Sequence, residues 1–176
     1  ALLEKMGGCI DVESVPGEGS TFTFRLPFKV NDVLIQKEER NESSGKPLAG
    51  MHFLLAEDNE INMEIAEFYL TDLGATVSKA WNGKEALELF EASEPESYDV
   101  ILMDVMMPEM DGHEATQRIR ALKRPDTQTV RIVAMTAQTS EDSIHKCLDA
   151  GMDGHIAKPI NEEKLLSALH KNIETE

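Results

Sequence analysis

Basic side chains are scarce in this sequence. Seventeen lysines and arginines face 33 aspartates and glutamates, so the 176 residues carry a formal net charge of −16. That balance repels phosphate backbones and anionic lipid surfaces, and no local basic patch offsets it, which excludes nucleic acid and membrane surface as expected partners. Cysteine is nearly absent. Cys9 and Cys147 lie far apart without metal-ligand spacing and read as free thiols of a reducing cytoplasm. No apolar run approaches the roughly 18 residues of a membrane span, and no charged start followed by an apolar run marks a signal peptide. Cytoplasmic placement is therefore expected, and a membrane anchor elsewhere in a longer parent stays open. Aromatic residues amount to only 5%, yet hydrophobic residues reach 41%, too apolar for disorder.

From residue 51 onward, apolar runs alternate with segments of helical period. Phe53–Ala56 is followed by Ile61, Ile65, Phe68 and Tyr69 at i, i+4, i+7, i+8 spacing. Leu73-Gly74 ends that helix with a glycine suited to a left-handed cap. Ala75–Ala80 then precedes a helix carrying Ala86, Leu87 and Phe90, and Val100–Met103 precedes one carrying Ala115, Ile119 and Leu122. Arg131–Met135 precedes Ile144 and Leu148, closed by Ala150-Gly151. Finally His155–Ala157 precedes Leu165, Leu166, Leu169 and Ile173, with Asn161 as N-cap. Five strand–helix units predict right-handed crossovers and a doubly wound, five-stranded parallel α/β sheet.

Residues 1–28 break this alternation. Gly8–Ser14 and Thr21–Phe28 are strand candidates joined through Pro16-Gly17-Glu18-Gly19, a β-hairpin with Phe22, Phe24, Leu26 and Phe28 on one face. An isolated hairpin is marginal in water, and the chain begins mid-pattern at Ala1-Leu2-Leu3 without an initiator methionine, so a fragment of a longer protein is expected. Residues 29–49 are polar and aperiodic and read as a flexible linker. The acidity belongs to residues 50–176, with 25 acids against 11 bases, rather than to residues 1–49, with 8 against 6.

In open parallel sheets, ligands sit beyond the carboxyl ends of the strands. Glu57 and Asp58 follow the first strand of the repeat, Asp104 the third, Thr136 the fourth and Lys158 the fifth. Converging carboxylates repel unless a cation neutralises them, and an oxygen-only set with open positions suits Mg²⁺. With a lysine and a hydroxyl opposite, this is a kit for phosphoryl transfer, whose loose transition state needs positioning and charge neutralisation.

At these residues the sequence resembles the response-regulator receiver family. The resemblance rests on Leu54-Leu55-Ala56-Glu57-Asp58-Asn59, Ile101 through Gly112, Met135-Thr136-Ala137 and Lys158-Pro159, in family order over residues 50–174. It implies a flavodoxin-like strand order 2-1-3-4-5 and Asp104 as phosphoacceptor. It also implies Mg²⁺ (or Mn²⁺) held by Asp58 and Asp104, by Glu57 through water, and by the Met106 carbonyl. Thr136 and Lys158 would contact the phosphoryl group, His155 would occupy the switch position, and Lys158-Pro159 would be cis. Met106 and Gln138 would stand where the family positions the hydrolytic water, which implies slow self-dephosphorylation. The implied partner is a phosphohistidine-bearing kinase or a histidine phosphotransfer domain.

The segment from Met6-Gly7-Gly8 to Phe24 resembles the last strands of a histidine-kinase ATPase domain, with Gly17 and Gly19 lining its nucleotide lid. The combination implies a hybrid histidine kinase cut within its catalytic domain, and ATP binding only in the full-length parent. Other readings stay open: a receiver used purely as a protein-binding module, an aspartate-nucleophile hydrolase, for which Met106 replaces the second aspartate, and a transcriptional regulator, for which no helix-turn-helix follows.

Overall fold

The computed structural model describes residues 7–17, 19–27, 46–137 and 140–170. Two compact units divide the chain, residues 1–42 and 43–176. The first contains a hairpin of β1 (Cys9–Val15) and β2 (Gly19–Arg25), antiparallel with Ile10 opposite Phe24 and Val12 opposite Phe22. Both strands are set slightly off the expected bounds, and Phe28 lies outside the described residues. Cross-strand partners share a face, so these four side chains form one apolar face, and all four are exposed. Gly17 (φ 86°) and Gly19 (φ 113°) sit in the left-handed region that the turn needs.

In the second unit the elements run β3 (His52–Ala56), α1 (Glu60–Asp72), β4 (Thr76–Ala80), α2 (Gly83–Ala92), β5 (Val100–Asp104), α3 (Gly112–Ala121), β6 (Arg131–Thr136), α4 (Glu141–Asp149), β7 (Gly154–Ala157) and α5 (Glu162–His170). The five strands are parallel in the order β4-β3-β5-β6-β7, which is the expected 2-1-3-4-5. Strands β3, β5 and β6 are buried almost throughout, as their unbroken apolar runs predict. Successive residues feed opposite layers. Leu54, Ala56, Ile101, Met103, Ile132 and Ala134 pack with Ala86, Phe90, Ala115, Ile119 and Cys147 of α2, α3 and α4. Phe53, Leu55, Leu102, Val133 and Met135 pack with Met63, Ala66 and Leu70 of α1 and with Leu165 and Leu169 of α5.

Two helix faces differ from expectation. In α1 Ile61, Ile65 and Phe68 of the expected stripe point outward, Phe68 being 63% exposed. Tyr69 packs partly against the core as expected, and Met63, Ala66 and Leu70 meet the sheet. In α4 Cys147 is the buried residue and Leu148 is exposed. Gly74 (φ 98°) and Gly151 (φ 95°) end α1 and α4 in left-handed conformation as expected, and Asn161 caps α5 by accepting the Lys164 N–H at 2.9 Å. Leu48, within the segment read as linker, is buried in the α1–α5 layer, and its N–H bonds the Leu73 carbonyl. The packed unit thus starts before residue 50.

Candidate functional site

The strand ends place the site. Because β3 has β4 on one side and β5 on the other, its crossovers leave in opposite directions, and the carboxyl ends of β3 and β5 border the resulting crevice. Glu57 follows β3 directly and is 1% exposed; Asp104 is the last residue of β5 and 5% exposed; Asp58 is exposed. One carboxylate oxygen from each of the three lies within 4.8 Å of the others. Lys158, just past β7, donates from Nζ to Glu57 Oε2 at 2.5 Å and to Asp104 Oδ2 at 2.7 Å.

Three acids therefore lie together, and two of them, Glu57 and Asp104, share one ammonium. Burial is the largest influence on Asp104 and raises its pKa; the Lys158 hydrogen bond opposes this, and the charge of Glu57 pushes the same way as burial. Burial works against the Lys158 ammonium, but hydrogen bonds to Asp104 and Glu57 outweigh it and raise its pKa. An all-oxygen set with an uncompensated negative charge, one member open to solvent, fits a hard divalent cation such as Mg²⁺.

Thr136, the last residue of β6, is buried and lines a cleft of about 280 Å³ together with Asp104, Met106 and Lys158. The sequence-predicted residues Glu57, Asp58, Asp104, Thr136, Met106 and Lys158 thus converge. Met106 is 77% exposed, and its N–H donates to Asp104 Oδ1 at 3.3 Å. His155 stands half-buried in β7 opposite Ala134 and does not line the cleft. The Lys158-Pro159 bond is cis. Gln138 lies outside the described residues, and Gly17 and Gly19 belong to the other unit.

Sequence reasoning missed some contributors. Gly112 opens α3 against the end of β5, where an added Cβ would stand 2.1 Å from the Asp104 carbonyl oxygen. Only glycine admits that approach, and its N–H bonds the Val105 carbonyl at 3.1 Å. His113, Lys146 and Cys147 also line the cleft. Asn62, on the first turn of α1, donates its side-chain amide to Glu57 Oε1 at 2.9 Å.

Residues 53–170 match the response regulator receiver domain family. The chain belongs to that family. Among its relatives are probable histidine kinase 2 of Oryza sativa, 41% identical over 136 residues that cover 71% of this chain and 13% of the relative, and the aerobic respiration control sensor protein of Escherichia coli, 34% identical over 175 residues that cover 99% of this chain and 22% of the relative. The chain therefore spans less than a quarter of the length of either. Its receiver fold is similar to that of a sensor histidine kinase receiver domain from Pseudomonas aeruginosa with a magnesium ion in the active site cleft (37% identity, TM-score 0.61, covering 68% of this chain and 93% of that one). It is also similar to a chain from the co-crystal structure of a Saccharomyces cerevisiae histidine phosphotransfer protein with a receiver domain (30% identity, TM-score 0.61, covering 68% and 86%). Among the described residues no helix is long and apolar enough to cross a membrane.

Proposed function

We propose that this receiver accepts a phosphoryl group on Asp104 from a phosphohistidine, as one station of a phosphorelay within a hybrid histidine kinase. The observation that carries this reading is the Asp104 carboxylate, held by Lys158 at 2.7 Å beside two further acids at the sheet's crevice. An Asp104 oxygen attacks phosphorus, the histidine N–P bond breaks, and the imidazole nitrogen keeps the electron pair and takes up a proton. Asp58, Asp104 and, through water, Glu57 would hold Mg²⁺ with the Met106 carbonyl, and the cation would neutralise phosphoryl charge there. Lys158 then follows the new dianion, and the Thr136 hydroxyl donates to it.

Each charge-assisted hydrogen bond gained is worth about 1.5–3 kcal/mol, and inverting a 1:99 equilibrium needs roughly 5.5 kcal/mol. Two such contacts give a graded shift of the α4–β7–α5 face, with His155 turning inward. The exposed Ile61, Ile65 and Phe68 stripe supports a protein phosphodonor, since clustered apolar surface marks association sites. Residues 1–28 are read as the end of an ATPase domain and the stretch after them as linker. The receiver runs to 174 from a start just before residue 50, where Leu48 joins its core. ATP binding and any membrane anchor belong to the longer parent, and this segment to the cytoplasm.

A small acyl phosphate with Mg²⁺ is expected to add one phosphoryl group at Asp104, read by intact mass and peptide mapping, and Asp104→Asn to abolish it. Labelling that persists in Asp104→Asn would overturn the reading. Met106→Asn is expected to shorten the phosphoryl lifetime, because a thioether cannot orient the hydrolytic water as an amide does.

A further inference from the structure

Glu57 poses a problem that Lys158 alone does not solve. A carboxylate 1% exposed needs a partner on each oxygen, because an unpaired buried charge is heavily penalised. Lys158 satisfies Oε2 at 2.5 Å, but it is shared with Asp104 and is the group that must follow an incoming phosphoryl dianion. Oε1 has different partners. The Asn62 Nδ2 donates to it at 2.9 Å, and the Asn59 N–H reaches it at 3.4 Å.

We infer that Asn62 is a positioning residue, which fixes the plane of the Glu57 carboxylate for the metal site independently of where Lys158 goes. This rests on the reading of Glu57 as a metal-site acid. The placement follows from the helix start. Asn59 is the N-cap of α1 and accepts the Asn62 backbone N–H at 3.1 Å, which locks the third helical residue in place. Side chains on a helix lean toward its N-terminus, here toward Glu57. The cap uses only the backbone of Asn62, so its side-chain amide is free for Glu57, and helix capping and carboxylate positioning are separable by mutation. The amide is also neutral. It holds the carboxylate without competing electrostatically with a cation for it, as a second ammonium would. Partners that orient metal-site ligands typically matter 10–100-fold in metal affinity.

The test compares the parent chain with Asn62→Leu, similar in volume but without a donor, and Asn62→Gln, which keeps an amide. Mg²⁺ is titrated while following fluorescence of Trp81, the chain's single tryptophan, which lies just past β4 at the same end of the sheet. Asn62→Leu is expected to weaken Mg²⁺ binding about 10-fold or more, with Asn62→Gln recovering part of the loss. In chelator the unfolding temperature of Asn62→Leu falls, because Glu57 Oε1 loses a donor, while α1 stays folded below that transition. The second readout needs no metal: in chelator, the side-chain amide protons of Asn62 exchange slowly with solvent, and Glu57→Gln shifts their NMR signals. Equal Mg²⁺ affinity in parent and Asn62→Leu, or an affinity loss matched by melting of α1 in chelator, would overturn the inference. A parent that binds no Mg²⁺ would sink the metal reading instead, and the amide signals would still decide whether Asn62 fixes Glu57: fast exchange, or no response to Glu57→Gln, would overturn it.

Discussion

At the end of the central sheet where the strands begin, Asp126 accepts from Arg124 Nε at 2.7 Å and Nη2 at 2.9 Å and from the Glu96 N–H at 2.8 Å. Asp153 accepts from Arg120 and from the Ile132 N–H, each at 2.7 Å, and Asp99 from the His52 N–H at 2.7 Å. At the end where the strands finish, Glu57, Asp58 and Asp104 lie together, and among the described residues Lys158 is the cation ion-paired with Glu57 and Asp104. The same residue type is closed off at one rim and left short of positive charge at the other. The hydrogen bonds from Arg124 outweigh burial and hold the Asp126 carboxyl at a pKa of about 2, whereas Asp104 is raised. The contrast teaches that acids near a sheet edge are not interchangeable. One set ties loops to strands, and the other is kept deficient so that a cation or phosphoryl group can complete it.

The largest effect expected from breaking this contrast is at the closed rim. Arg124 also stacks over Phe90, 4.3 Å from the ring centroid, and donates to the Ser93 and Glu94 carbonyls at 3.1 Å, beyond the end of α2. Arg124→Ala leaves Asp126 buried without its cation and should cost about 3–5 kcal/mol in urea unfolding. Mg²⁺ is next in size and acts only at the open rim. At a hundredfold excess over its Kd, it should stabilise the parent by about 2.7 kcal/mol, an increment that chelator and Asp58→Asn both remove. An equal gain in Asp58→Asn would show that the acids there do not form the deficit.

Strand positions and the five converging polar groups were legible in the sequence. Burial on both faces of the central strands leaves continuous apolar runs, and the site residues stand just past the strands. The sheet order came only with the resemblance to the receiver family. The face of α1 was not. Ile61, Ile65 and Phe68 are bulkier than Met63, Ala66 and Leu70, so periodicity favours the stripe that the structure leaves outside. A helix apolar on two sides hides its orientation from any single-helix pattern. In α4 the buried residue is Cys147, and Leu148, one position on and so about 100° round the helix, faces solvent. The Arg124–Asp126 knot lies in the aperiodic stretch between α3 and β6 and leaves no repeat to read. Asn62 had a usable signal, the Asn-x-x-Asn spacing at a helix start, but its role depends on which way the Glu57 carboxylate faces.

The smallest expected effect separates the rims by sign. Asp126, held near 2, gives stability that is full above the ordinary aspartate value of about 3.9 and lost as pH falls toward 2. Asp104 is the opposite case: raised in the fold, it binds its proton more tightly folded than unfolded, so its contribution declines as pH rises past the ordinary value. Asp104→Asn should therefore stabilise the metal-free protein at neutral pH by about 1 kcal/mol, with the gain shrinking as pH drops into the range where the parent carboxyl is protonated. Asp126→Asn should instead destabilise at neutral pH, with the loss shrinking toward pH 2. Denaturant unfolding of parent and both variants in chelator across this range measures the two slopes. If Asp104→Asn destabilised at every pH, the carboxylates at the strand ends would be as well satisfied as those at the strand starts. The asymmetry on which the phosphoacceptor reading leans would then be gone.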